Sequence, residues 1–155
     1  DYHSTSSFKF CDLITARSIS HSGPKMTAPL FQIHVTLSDW EAGHALGELH
    51  SGRYLKDPSL KYDVVLCGKS LDTITTMGGL KLTPGITIEN IRAKKGDLLL
   101  LPGADAWLDP AHASIINMVD TLLEQEMAVA AICGATLGLA NAGLPDNGPH
   151  TSNDP

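Results

Sequence analysis

Residues 128–144, AVAAICGATLGLANAGL, place a cysteine, Cys133, between an apolar run and a run of small, helix-forming residues. Val129, Ala131 and Ile132 read as a short buried strand, and Ala135 to Ala140 as a helix ending near Gly143. A strand-to-helix turn this tight requires small neighbours, which Ala131, Gly134 and Ala135 supply, and it pushes the side chain on the turn out at the end of the strand. At a helix start, unpaired backbone N–H groups and the positive end of the helix dipole favour a thiolate, so such a cysteine is nucleophilic near neutral pH. The same N–H groups can hold an oxyanion. The chemistry in prospect is attack of sulfur on an electrophilic carbon. A lone cysteine is often a small core residue; the small residues around the turn favour the elbow.

The other chemistry-bearing residues are less telling. Cys67 ends an apolar run, YDVVLC, with nothing small or helical after it to build an elbow, and reads as a core thiol. Three cysteines, at 11, 67 and 133, are an odd number without metal-ligand spacing, which points to a reducing compartment and to cytoplasmic thiols rather than a disulfide framework. His44, Glu48 and His50 lie close together, but the expectation is a solvated helix face, with no metal and no cofactor. A net charge of −6 without a basic cluster argues against a nucleic-acid partner. No apolar run approaches the roughly 20 residues of a membrane helix. The 43% hydrophobic and 18% charged fractions are those of a globular domain, and 155 residues make one such domain with a real core.

The elements that must position Cys133 follow in order. Residues 1–25 are Ser-rich and aperiodic and read as a disordered or non-native leader, so the domain is expected to span residues 26–155. Leu30 to Leu37 reads as a first buried strand. A helix follows, with Ser38 as N-cap and Glu41 completing a capping box. Tyr62 to Cys67 is a second strand, residues 72–83 a β-hairpin about Gly78-Gly79, and Pro84-Gly85 closes that excursion. Asp97 to Leu101, DLLLL, is a third core strand, running into Pro102-Gly103-Ala104 at the edge where α/β sheets bind ligands. Asp109-Pro110 opens a helix whose apolar face is Ile115, Ile116, Val119, Leu122 and Leu123. A fourth strand then delivers Cys133. This alternation predicts a mostly parallel sheet with right-handed crossovers and helices on both faces.

Four stretches carry a family resemblance: DWE at 39–41, ITTMGGLKLTP at 74–84, LLLLPGADAW at 98–107, and AICGATLGLANAGL at 131–144 followed by HTSN at 150–153. In that order they resemble the ThiJ/PfpI family, the DJ-one-like branch of the class I glutamine amidotransferase-like superfamily. The resemblance implies a flavodoxin-like three-layer α/β sandwich, with a small hairpin excursion and usually dimeric, whose reactive cysteine matches Cys133. It further implies that Glu41 is the acid beside the sulfur, donating a hydrogen bond to the thiolate as half of a coupled pair. Gly103 and Ala104 match the family's glycine pair, which together with Gly134 N–H implies an oxyanion hole. An Ala in the second position is harmless if its φ is negative. The protease-like members place a His directly after the cysteine, where this chain has Gly134. His150 is the only histidine downstream of Cys133 and the remaining candidate base. Because many relatives continue past HTSN, the domain is expected to be C-terminally truncated and the sandwich incomplete at that end.

The function implied is a cysteine-dependent hydrolase or lyase acting on a small carbonyl or amide substrate, as a homodimer, with peptidase and amidotransferase activity disfavoured. The alternative is a non-enzymatic redox-sensing or stress-response protein using the same sulfur. A third reading is a structural remnant that cannot hold the elbow rigid.

Overall fold

In a computed structural model of the protein, residues 29–32, 37–54, 62–92, 94–95 and 97–144 are described, the first four by backbone alone. The chain forms β1 (Pro29–Gln32), α1 (Asp39–Ser51), β2 (Val65–Gly68), β3 (Ile74–Thr75), β4 (Lys81–Leu82), β5 (Ile86–Thr87), β6 (Leu98–Leu101), α2 (Ala113–Glu124), β7 (Ala128–Ala131) and α3 (Gly134–Asn141). Short 3-10 turns occupy Ile88–Asn90, Asp105–Leu108 and Pro110–His112. Five strands make one parallel sheet in the order β5-β2-β1-β6-β7, and β3 and β4 pair antiparallel as the expected hairpin.

The apolar runs are continuous because the sheet is covered on both sides. Successive side chains of a strand point to opposite faces. Leu99 and Leu101 accordingly pack with Ile115, Ile116, Val119 and Leu122 of α2 and with Ala135 and Leu139 of α3. Leu100 packs the other way, against Leu37 and Ala42, with Ala45 and Leu46 of α1 beside them. The result is a three-layer sandwich, with α1 on one face and α2 and α3 on the other. From β1 the chain runs outward to β2 and β5, then returns to β6 and β7 on the opposite side. The order therefore reverses between β1 and β6, and the crevice outside their carboxyl ends is where such sheets bind ligands.

Several expectations change in detail. The first strand is described only to Gln32; residues 33–36 lie outside the described residues, and Leu37 makes an isolated antiparallel bridge to Ala104. The second strand begins at Val65, not Tyr62, whose N–H instead donates to Leu49 O of α1 at 3.0 Å. Pro84-Gly85 closes the excursion as expected, Gly85 N–H donating to Leu66 O at 2.9 Å, but the chain then adds a strand that was not expected: Ile86–Thr87 pairs with Cys67–Gly68 as a fifth strand of the sheet. Asp109 does cap, its Oδ1 accepting Ala111 N–H at 2.8 Å, but the first turn is 3-10 and the α-helix proper starts at Ala113. The leader, residues 1–25, lies outside the described residues, as do Cys11, His150 and the HTSN stretch.

Buried Trp107 holds the loop after β6 against α3. Its indole N–H donates to Pro102 O at 2.8 Å, and its ring lies where a Cβ on Gly138 would come within 3.2 Å. Trp107→Phe keeps most of the packing but leaves a buried carbonyl without its donor, so a loss of about 1–3 kcal/mol is expected in chemical denaturation. A loss below about 0.5 kcal/mol would show that the loop relaxes to water without consequence.

Candidate active site

β7 pairs with β6 along its whole length, Leu98 with Ala128 through Leu101 with Ala131, and Ile132 N–H extends the ladder to Leu101 O at 2.9 Å. The backbone then breaks direction at Cys133, with φ 51° and ψ −123°, and α3 begins at the next residue. A left-handed φ is uncommon for a residue with a Cβ, and holding one there costs on the order of 1–3 kcal/mol. The surroundings impose it. Ala135 N–H donates to Ile132 O at 3.0 Å, and Thr136 donates to Cys133 O through both its N–H, at 2.9 Å, and its hydroxyl, at 2.6 Å. The Cys133 thiol is exposed. Cys67, by contrast, is fully buried, and burial pushes its thiol up to about 12.

Gly134 passes close to the loop after β6. A Cβ there would stand 2.9 Å from Ala104 O and 3.5 Å from the Trp107 ring, so this backbone leaves no room for a side chain directly after the cysteine. The histidine associated with protease-like members is thus excluded by packing as well as by sequence.

Glu41 lies on the first turn of α1 and reaches across to that same loop. Its Oε2 accepts the Gly103 N–H at 2.6 Å, and a Cβ on Gly103 would run into both carboxyl oxygens. This corrects the capping-box expectation. Ser38 occupies the N-cap position but makes no side-chain cap; its hydroxyl donates to Met77 Sδ at 3.5 Å, while its N–H donates to Gly103 O at 2.9 Å. Glu41 joins α1 to the β6 loop instead of closing its own helix.

Of the three amides expected to form an oxyanion hole, that of Gly103 is occupied by Glu41. Ala104 and Gly134 remain, with neither N–H donating to another described residue. Ala104 has φ −160° and ψ 157°, extended backbone that any residue adopts, so the alanine in place of glycine carries no strain. His150 lies outside the described residues. Among the described residues no group of three His, Cys, Asp or Glu side chains is placed to hold a metal ion, and no helix is long and apolar enough to cross a membrane.

One contact had no sequence signal beyond its place in DWE. Asp39, the first residue of α1, accepts the Gly78 N–H from the hairpin tip at 2.6 Å. The Thr76 hydroxyl, then that amide, hold the Asp39 carboxyl below its ordinary range. Met77 N–H donates to Leu37 O at 3.0 Å beside it.

The DJ-1/PfpI family model matches residues 30–155. The chain belongs to the DJ-1/PfpI family. Bacillus subtilis has a relative named "uncharacterized protease YoaZ", 43% identical over 125 residues that cover 81% of this chain and 59% of that protein. A ThiJ/PfpI family protein from Bacillus anthracis superposes with a TM-score of 0.78 at 40% identity, covering 85% of this chain and 62% of that one. A DJ-1 superfamily protein from Agrobacterium tumefaciens superposes at 0.69 with 26% identity, over 83% of this chain and 64% of that one. The chain thus spans about three fifths of the length of these relatives. The sandwich is the flavodoxin-like α/β fold of DJ-1/PfpI proteins, and the elbow, Glu41 and the Gly103 loop all fall within the matched region.

Replacing Cys133 tests the elbow's strain. Glycine relieves the left-handed φ, worth about 1–3 kcal/mol, against a backbone-entropy penalty of about 0.5–1 kcal/mol. Cys133→Gly should therefore be more stable than Cys133→Ala by about 1 kcal/mol in denaturant titration. Equal stability, or a weaker glycine variant, would mean that the turn holds no strain.

Proposed function

We propose that this DJ-1/PfpI chain is a cysteine-dependent hydrolase or lyase acting on small carbonyl or amide substrates, with Cys133 as nucleophile. The observation that carries the reading is the exposed Cys133 thiol held at φ 51° at the start of α3. Strained backbone at a single exposed nucleophile is kept where it serves chemistry. In the proposed reaction the sulfur attacks the substrate carbon, a C–S bond forms, and the carbonyl π pair moves onto oxygen. The Ala104 and Gly134 N–H groups receive that charge. Glu41, fixed by Gly103, carries the proton that the leaving group or the oxygen requires. For an ester or amide the oxyanion then collapses and expels the protonated alcohol or amine, leaving a thioester; water attacks its carbonyl, the C–S bond breaks, and the acid product and the thiol are released. The relatives' names include the word protease; the peptidase reading is disfavoured here because Gly134 stands where the protease-like members place a histidine, and its packing against Ala104 leaves no room for one.

The test is a panel of small aldehydes, esters and amides, with peptide mass spectrometry of adducts and product release measured in parallel. Adducts are expected on the Cys133 peptide, with turnover abolished in Cys133→Ala. Glu41→Gln keeps an acceptor for Gly103 N–H but cannot carry the proton, so turnover should fall by roughly 10²-fold or more while the adduct still forms. Turnover that survives Cys133→Ala would refute the nucleophile.

A second reading, redox sensing, draws on the contrast between exposed Cys133 and buried Cys67. Oxidation tracks thiolate character and exposure. Mild peroxide with no turnover on any substrate, and sulfinic acid confined to the Cys133 peptide, would favour the sensor.

A further inference from the structure

We propose that Asp39 is a positioning residue that acts through Glu41 on Cys133, by latching the β3–β4 hairpin to the first turn of α1. The inference rests on the reading of Cys133 and Glu41 given above. Residues two apart on a helix project about 200° apart, so Asp39 and Glu41 leave the same turn in nearly opposite directions. Each carboxyl group accepts one backbone N–H at 2.6 Å from a distant loop, Gly78 of the hairpin for Asp39 and Gly103 after β6 for Glu41. The turn is thereby held from both sides, which fixes its rotation about the helix axis. The Asp39 bond, made by a carboxylate, is charge-assisted and about twice as strong as a neutral one.

The hairpin side is itself tied down by hydrogen bonds. Thr76 is buried, exchanges a backbone bond with Leu80 (N–H to O, 2.9 Å), and accepts Leu80 N–H on its hydroxyl at 3.0 Å. Met77 N–H reaches Leu37 O, and Leu37 in turn bridges Ala104. A chain of contacts therefore runs from the hairpin tip through Leu37 and Ser38 to Gly103 and Ala104, the loop that faces Gly134. The fit at the latch is close: a Cβ on Gly78 would stand 2.8 Å from Asp39 Oδ2. An acid in the first turn of a helix also interacts with the helix dipole. That role alone would move stability and leave the sulfur's chemistry unchanged.

The latch can be broken from either side in the full chain. Asp39→Ala removes the acceptor and Gly78→Ala forces the two groups apart. Asp39→Asn keeps an acceptor oxygen without the charge. Val119→Ala, a core change in α2 remote from the latch, serves as the destabilised control. The readout is the midpoint of the pH dependence of Cys133 alkylation by iodoacetamide, set against the shift in Glu41→Ala. Asp39→Ala and Gly78→Ala should shift the midpoint in the same direction as Glu41→Ala, with a rate change of roughly threefold or more at fixed pH. Asp39→Asn should recover part of the shift, and Val119→Ala should show none. Should Asp39→Ala fail to give a cooperative melt, Gly78→Ala and Asp39→Asn decide. Latch variants that melt earlier but keep the wild-type midpoint, while Glu41→Ala shifts it, overturn the positioning role alone. If Glu41→Ala leaves the midpoint unmoved, the reading of Glu41 fails first, and the role of Asp39 falls with it.

Discussion

The contact between the Glu41 carboxyl group and the Gly103 N–H, 2.6 Å across 62 residues of sequence, is the interaction on which the rest of the site depends. It ties the helix after the central strand to the loop after the neighbouring strand, at the point where the sheet order reverses. A glycine at 103 lets the carboxyl stand where a Cβ would be, so any larger residue there would displace Glu41. That loop then presses Ala104 O against Gly134, which requires a second glycine directly after the cysteine. Two glycines and one carboxyl group thus bring three successive loops of a parallel sheet into contact. The cysteine elbow is the third.

Each layer of the fold contributes to that convergence. The fully paired register of β6 and β7 fixes where β7 ends, and hence where Cys133 turns outward. The alternating burial of Leu99, Leu100 and Leu101 anchors β6 from both faces. Trp107 and Gly138 seat α3 on the loop beyond β6, so the amide-bearing start of that helix has a defined position. Strain at Cys133 is affordable because hydrogen bonds from Ala135 and Thr136 fix the turn on its far side.

The core strands were legible because unbroken apolar runs such as 98–101 are too short for helices and too hydrophobic for exposed strands. The elbow was legible from small residues flanking a cysteine between two periodic patterns. Ile86–Thr87 was not, since a two-residue strand has no periodicity and exists only through pairing with Cys67 and Gly68. Glu41 shows the limit most clearly. Its spacing from Ser38 satisfies a capping box, yet the acceptor turns to a loop 62 residues away, and only tertiary packing separates the two outcomes. The occupied Gly103 amide and the extended φ of Ala104 were invisible for the same reason: both are properties of how the β6 loop docks on α1.

The most direct measurement is the pH dependence of iodoacetamide alkylation, resolved by cysteine with peptide mass spectrometry, in the native chain and again in urea. A native Cys133 that reacts well below the roughly 8.5 of an ordinary thiol, losing that advantage on unfolding, is the expected result. Cys67, buried and pushed up to about 12, should stay silent until the chain unfolds. A Cys133 that reacts no more readily folded than unfolded would contradict the reactive elbow.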